Sequence, residues 1–241
     1  MLRIFVAPEL LTAGEIVVRG DEHHYLAHVR RARPGDPVEL LDGAGRRAAA
    51  TIARLGDRDT TLVAEAPDAI AAAPPLVRAL LPLIKGDRMD SAIEKLVEVG
   101  ADAIVVWPAA RSVARLDDAR RDARLAKYRA IAQAAARQSG RAQVPEVRTA
   151  DSLAAALAGL PVVPDGLRLV LDPTSDAPLD PAGAADITLV SGPEGGLTPD
   201  ELDRLADRLA GFTAVGLGPR VLRAETAPVV AVALIRAATR S

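Results

Sequence analysis

The chain has no cysteine among its 241 residues. That removes disulfides, thiolate metal sites and cysteine nucleophiles, and it fits a reducing compartment. No stretch approaches the roughly 20 uninterrupted apolar residues that a spanning helix needs. The opening MLRIFVAPEL is charged too soon and apolar too briefly for a secretory leader, so a soluble, cytoplasmic protein without a membrane partner is expected. Nucleotide fingerprints are missing as well. There is no G-x-x-x-x-G-K-[ST], and no G-x-G-x-x-G followed by an acid some 20 residues later, which argues against a phosphate cradle and a nucleotide-dependent oxidoreductase. Aromatics are few, and Trp107 and Tyr128 read as packing residues rather than base-stacking platforms. The three histidines are His23, His24 and His28. His24 and His28 have the i, i+4 spacing of a metal pair, but no third ligand stands out beyond Asp21 or Glu22, so no metal site is assigned.

What the chain does have is 49% hydrophobic residues, enough for a sizeable core in one large or two modest domains. The formal net charge of −2 is unevenly spread. Arg111 to Arg148 carries ten basic and four acidic residues, a local net of +6. The basic residues are nearly all arginine, a residue suited to phosphate forks and to stacking on bases. The competing reading is a helix that displays its arginines to water.

Two regimes follow along the chain. Up to about Asp68, short β-prone runs (Leu2–Val6, Glu15–Val18, Pro37–Leu41, Ala48–Ala53, Thr60–Ala64) alternate with turn residues such as Pro34-Gly35-Asp36, as in a compact barrel. One helix is predicted over Asp21–Arg31. After a linker at Ala71–Pro75, strand and helix alternate: strands at Leu76–Ile84, Ala103–Trp107, Leu167–Leu171, Ile187–Val190 and Thr213–Leu217. The helices are Asp87–Val99 and Asp117–Ser139, with others starting at Ser152, Thr198 and about Ala224. This alternation predicts an α/β fold whose parallel sheet binds ligands at the carboxyl ends of its strands.

Two loops carry the candidate chemistry. Ser191-Gly192-Pro193-Glu194-Gly195-Gly196 leaves a strand and enters a helix at Thr198, with Pro199 in the first turn and Glu201 completing a capping box. Leu217-Gly218-Pro219-Arg220-Val221-Leu222-Arg223-Ala224-Glu225-Thr226 again leaves a strand through glycine. Glycines there let a ligand approach the backbone or permit positive φ. Two arginines and a glutamate at a strand's carboxyl end are costly in a core and natural in a site. Backbone donors and acceptors without a lysine suit S-adenosylmethionine, though by themselves they leave other adenosine compounds open.

SGPEGGLTPDEL together with LGPRVLRAETA resembles the paired signature of the RsmE family of the SPOUT superfamily, bacterial 16S rRNA uracil-N3 methyltransferases. GDEHHYLAHVRRARPGDPVELLDGAG, LIKGDRMDSAIEKLVEVGADAIVVWPAARSVARL, KYRAIAQAAARQSGRAQVPEV and the LDP of Leu171–Pro173 extend the resemblance over most of the chain. It departs at Ala224, where threonine is usual, at Val99, where leucine is common, and at Ala110. There a glutamate is common, so Arg111 lacks a possible acidic neighbour.

The resemblance implies an N-terminal PUA-like RNA-binding β-barrel over residues 1–72 and a C-terminal SPOUT α/β domain over 76–241, tied in a deep trefoil knot. It also implies a homodimer that methylates N3 of a decoding-region uridine of 16S rRNA in the small ribosomal subunit. The implied cofactor site for S-adenosylmethionine is Leu171, Pro173, Ser191, Gly192, Pro193, Glu194, Gly196, Leu217, Gly218, Val221, Leu222, Arg223 and Thr226. Arg223, Arg220 and Glu225 are the catalytic candidates, with a guanidinium steadying the charge of the deprotonated imide and an acid to take or direct the proton. RNA contacts are assigned to Arg30, Arg31, Arg33, Arg111, Arg115, Arg137 and Arg141. A ribosome-binding relative that has lost catalysis is the rival reading; intact cofactor loops argue against it.

Overall fold

The computed structural model describes residues 1–113, 120–161, 163–207 and 211–239. The chain divides into two units, one of Met1–Ala72 with Ala136–Val144, the other of Ala73–Ala135 with Pro145–Ser241.

The first unit is built on six strands: β1 (Leu2–Phe5), β2 (Gly14–Arg19), β3 (Pro37–Leu41), β4 (Arg46–Leu55), β5 (Asp59–Ala64) and β6 (Asp68–Ala69). Their order is β1-β3-β4-β5-β2, with β6 on β4. β4 shows why they form: Ala48, Ala50 and Ile52 are buried and alternate with exposed Arg47, Ala49 and Thr51, the period of a half-buried strand. These residues share one core with Ile4, Ile16, Val18, Val38, Leu40 and Leu62. No ladder joins β1 to β2 among the described strands, so the expected barrel stays open along that seam.

The helix predicted over Asp21–Arg31 is two pieces. α1 (Gly20–His24) runs into a π-helical turn at Tyr25–Val29, where the Arg30 amide donates to the Tyr25 carbonyl at 2.9 Å. Apolar periodicity cannot separate this wider turn from an α-helix, and such turns recur at functional sites. It buries Leu26 in the core and leaves His28, Val29, Arg30 and Arg31 exposed.

A segment distant in sequence completes this unit. The Gly45 amide donates to the Ala142 carbonyl (3.3 Å) and the Val144 amide to that of Gly43 (3.0 Å). Arg137 pairs with Glu22 and lies over the Phe5 and Tyr25 rings, 5.8 and 5.0 Å from their centroids. Burial pushes the Glu22 carboxyl above its usual range, an effect that the Arg137 charge opposes.

The second unit holds β7 (Leu76–Pro82), β8 (Ala103–Trp107), β9 (Glu146–Thr149), β10 (Leu167–Leu171), β11 (Asp186–Val190) and β12 (Thr213–Val215). They form a wholly parallel sheet in the order β12-β10-β11-β7-β8-β9. The helices are α2 (Asp87–Val99), α3 (Arg121–Ser139), α4 (Leu153–Ala158), α5 (Pro199–Ala206) and α6 (Ala227–Ala238). α2 buries Met89, Ala92, Ile93, Leu96 and Val97 on one face, the i, i+3, i+4 stripe its sequence carries. From β7 the chain steps outward through β8 to β9, and β10 to β12 lie on β7's other side. The direction of winding therefore reverses between β7 and β11, where parallel α/β sheets bind ligands.

Candidate active site

At the carboxyl ends of β10, β11 and β12 three connections enclose a cavity of about 560 Å³, within the range of small-molecule sites. The first follows β10. Asp172 accepts hydrogen bonds from the Thr174 amide (2.8 Å) and hydroxyl (2.7 Å), which fixes Leu171–Thr174 as a tight turn. The second, Ser191–Leu197, follows β11. The third, Leu217–Ala224, follows β12.

The glutamate that caps α5 ties the second connection down. Its Oε2 accepts from the Thr198 amide at 2.8 Å, and the Thr198 hydroxyl accepts from the Glu201 amide at 3.3 Å. This is the capping box its sequence predicts. The same carboxylate reaches further than the sequence shows: its Oε1 accepts from the Ala110 amide at 2.9 Å. Arg111, next along, donates to the Gly195 and Leu197 carbonyls at 3.0 and 3.4 Å. Arg111 thus has backbone partners in place of the acidic neighbour that Ala110 denies it. Glu201→Ala is expected to cost about 1–2 kcal/mol in urea denaturation, because two backbone donors and a helix terminus lose their acceptor. Glu201→Gln, which keeps one carbonyl oxygen, should lose less; an alanine variant as stable as the parent would refute the assignment.

Of the expected cofactor residues, Leu171, Pro173, Ser191, Gly192, Pro193, Glu194, Gly196, Leu217, Gly218, Val221, Leu222 and Arg223 all line the cavity. Thr226 does not: it stands at the start of α6, its amide donating to the Arg223 carbonyl at 2.9 Å. The helix expected from about Ala224 begins only at Ala227. Asp172, Thr174, Leu197, Leu202, Val215, Ala224 and Ala227 also line the cavity and were not among the expected residues.

Arg220 and Arg223 both face the cavity. Glu225 is not among its lining residues; it sits behind, 3.9 Å from the Arg223 guanidinium and 3.9 Å from that of Arg88. Arg88, in the first turn of α2, also pairs with Glu194 at 2.9 Å. It joins the acids of two cofactor loops from a third element, a role that no local pattern around Arg88 signals. The only clue is position, on the helix that leaves the strand where winding reverses.

The walls suit a ligand with both apolar and polar parts. Leu171, Val215, Leu217, Val221 and Leu222 supply apolar surface. The Ser191 hydroxyl is buried in the wall without a hydrogen-bond partner among the described residues. A buried hydroxyl left unpaired is costly, so it marks a place for a polar ligand atom. The conformation of Gly218, at φ +102°, is one that side chains resist.

The arginines assigned to RNA have different fates. Arg30, Arg31 and Arg33 are exposed on the first unit. Arg137 and Arg141 belong to the same unit, Arg137 held by Glu22. Arg111 is spent on the cofactor loop. Arg115 lies outside the described residues. The His23 ring pairs with the Thr60 hydroxyl at 2.8 Å in the core, and the His24 and His28 rings lie 5.0 Å apart. No group of three metal-ligating side chains occurs among the described residues.

Comparison with known proteins agrees with this layout. Residues 73–236 match the RNA methyltransferase domain family and residues 18–64 the RNA methyltransferase PUA domain family. Ribosomal RNA small subunit methyltransferase E of Mycobacterium bovis is 38% identical, over 93% of this chain and 87% of its own. The Bacillus subtilis protein of the same name is 32% identical, over 90% and 88%. The crystal structure of the Neisseria gonorrhoeae methyltransferase E bound to S-adenosyl methionine superposes with a TM-score of 0.87, at 29% identity over 98% of this chain and 97% of that one. With a sheet of this order, a cavity at its strand ends and likeness along nearly the whole length, the chain belongs to the ribosomal RNA small subunit methyltransferase E family.

Proposed function

We propose that the protein is an S-adenosylmethionine-dependent methyltransferase that modifies N3 of a single uridine of 16S rRNA in the small ribosomal subunit, in the cytoplasm. The observation that carries this reading is the three-loop cavity with the orphaned Ser191 hydroxyl in its wall and Arg220 and Arg223 on its lining. The second unit performs the chemistry, on a chain path tied as a trefoil knot, and the first, residues 1–72 completed by Ala136–Val144 rather than 1–72 alone, binds RNA. The knot is what the family resemblance implies; the sheet that it would thread has the parallel order β12-β10-β11-β7-β8-β9. α6 supports a homodimer: Val229, Val230, Ala233 and Leu234 keep surface on a helix that is apolar nearly all round, and such helices are normally covered.

S-adenosylmethionine, when bound, supplies an electrophilic methyl group. Leu171, Val215 and Leu222 offer the apolar walls for its adenine, and Ser191 and the glycine-loop backbone offer polar partners. The uridine imide N–H must lose its proton before the nitrogen attacks. Arg223 or Arg220 steadies the negative charge that spreads onto the flanking carbonyl oxygens. Glu225, through its Arg223 and Arg88 contacts, orients the guanidinium.

Undermethylated small subunits incubated with the protein and S-adenosylmethionine should acquire one N3-methyluridine, read by mass spectrometry of digested rRNA. Methylation elsewhere, or none, overturns the reading. Charge reversal of Arg30 and Arg31 should weaken subunit binding and reduce its salt dependence, with cofactor affinity unchanged.

A further inference from the structure

Arg88 stands in the first turn of α2, where the helix dipole opposes a cation. Its own helix does not call for it. Its Nη1 lies 2.9 Å from Oε1 of Glu194 and 3.9 Å from Oε2 of Glu225. One nitrogen therefore sits against two carboxylates, one on the wall of the cofactor cavity and one behind it.

The other carboxylate oxygen of Glu225 meets the leading catalytic candidate. Oε1 lies 3.9 Å from Nη1 of Arg223, so charges alternate along the row Glu194, Arg88, Glu225, Arg223. Only the first link is short. Oε2 of Glu225 is buried and has no hydrogen-bond partner among the described residues, and 16% of that side chain is exposed. A carboxylate so enclosed is costly until a cation satisfies it. Two guanidiniums are near enough to do so. Arg88 shares itself with Glu194, and Arg223 is mostly exposed on the lining of the cavity. Without Arg88, the charge of Glu225 would fall to Arg223 alone. A short pair between those two would turn the guanidinium away from the base.

We propose that Arg88 is a positioning residue for methyl transfer. By neutralising Glu194 and Glu225 together, it keeps Glu225 from capturing Arg223, which stays loosely oriented and free to meet the charge developing on the base. The proposal rests on the reading of Arg223 as the group that steadies the deprotonated imide. Because a single nitrogen faces both acids, a point charge serves in place of Arg88, whereas the planar fork matters for Arg223.

Arg88→Gln should slow single-turnover transfer to undermethylated small subunits about tenfold or more, the weight of one charge-assisted hydrogen bond formed in the wrong place. Its rate should also need a higher pH to level off, since the imide anion has lost its donor. Arg88→Lys should keep most of the parental rate. The deciding variant is Arg88→Gln with Glu225→Gln, in which no carboxylate is left to capture Arg223. It should regain rate and pH profile relative to Arg88→Gln alone, a coupling that independent structural losses do not produce. In the cofactor-free protein, the Nε–H resonance of Arg223, assigned by its loss in Arg223→Lys, should exchange with water more slowly in Arg88→Gln and revert in the double variant. A parental rate in folded Arg88→Gln overturns the proposal, as does a double variant no faster than Arg88→Gln. A rate restored by saturating cofactor assigns Arg88 to the cofactor loop and also overturns it. In each of these cases a slow Arg223→Lys leaves the catalytic reading of Arg223 standing. If Arg223→Lys transfers at the parental rate, that reading falls and the role of Arg88 with it.

Discussion

Arg223→Lys is expected to slow single-turnover methyl transfer by about 10²–10³-fold, the usual cost of one positioned donor to a developing oxyanion, with little change in cofactor affinity. Lysine keeps the charge and loses the planar fork. The structure adds a reason for choosing this residue. Its side chain is 78% exposed, on the lining of the cofactor cavity, and among the described residues its one ion-pair contact is with Glu225, at 3.9 Å. It is therefore free to turn toward an incoming base. With the deprotonated imide as the proposed nucleophile, the parent rate should climb with pH and level off once the bound uridine has lost its proton. The lysine variant should need a higher pH to reach its plateau, since the anion is less well stabilised. If the variant binds cofactor poorly and transfers at the parent rate once saturated, Arg223 is a loop residue and the role passes to Arg220.

Gly216→Ala should have the largest effect on the fold of the site. A Cβ at this position would lie 2.1 Å from the Ser175 carbonyl oxygen, well inside contact distance and against backbone that cannot rotate away. The connection after β10 is held there by its own bonds. The Gly216 amide donates to the Ala177 carbonyl at 2.9 Å, and the Ser175 hydroxyl donates to that of Ala214 at 3.0 Å. Relieving the clash must part the first cofactor loop from β12. The expected loss is about 3 kcal/mol in urea denaturation, with cofactor binding abolished in calorimetry. Gly192→Ala should be milder, because its Cβ would meet the Leu197 side chain and amide at 3.2–3.3 Å, so the loop jams on itself. A Gly216→Ala variant with parental stability would contradict this account.

The parts legible in sequence were those written locally. Thr198, Pro199 and Glu201 announce a helix start, and α5 begins there. Strand ends followed by glycine predict the loops at Ser191–Gly196 and Leu217–Thr226, which do line one cavity. Ala103–Trp107 is a strand with those bounds, because a short run of β-branched and aromatic residues after a glycine stop leaves few alternatives. What escaped depends on distant partners. β9, at Glu146–Thr149, is too short and polar to stand out and exists through its ladder with β8. Arg88 and Glu201 act across 106 and 91 positions, respectively, on Glu194 and Ala110. The π-helical turn and the open seam between β1 and β2 are likewise decided by packing.

The membership of Ala136–Val144 in the first unit bears on how such a protein is inherited. Because the chain returns to that unit after Ala73–Ala135 of the second has been laid down, the unit is not encoded by one continuous stretch of gene. A recombination that carried only the codons for residues 1–72 to a new host would deprive Glu22 of its ion pair with Arg137 and uncover the Phe5 and Tyr25 rings beneath that guanidinium. It would also strip Gly43 and Gly45 of their backbone partners at Val144 and Ala142. Such a transplant starts with apolar ring faces and backbone groups open to water that the complete unit keeps covered and paired. The RNA-binding unit and the cofactor-binding unit are therefore expected to descend together, and their lineages should show few exchanges of one half without the other.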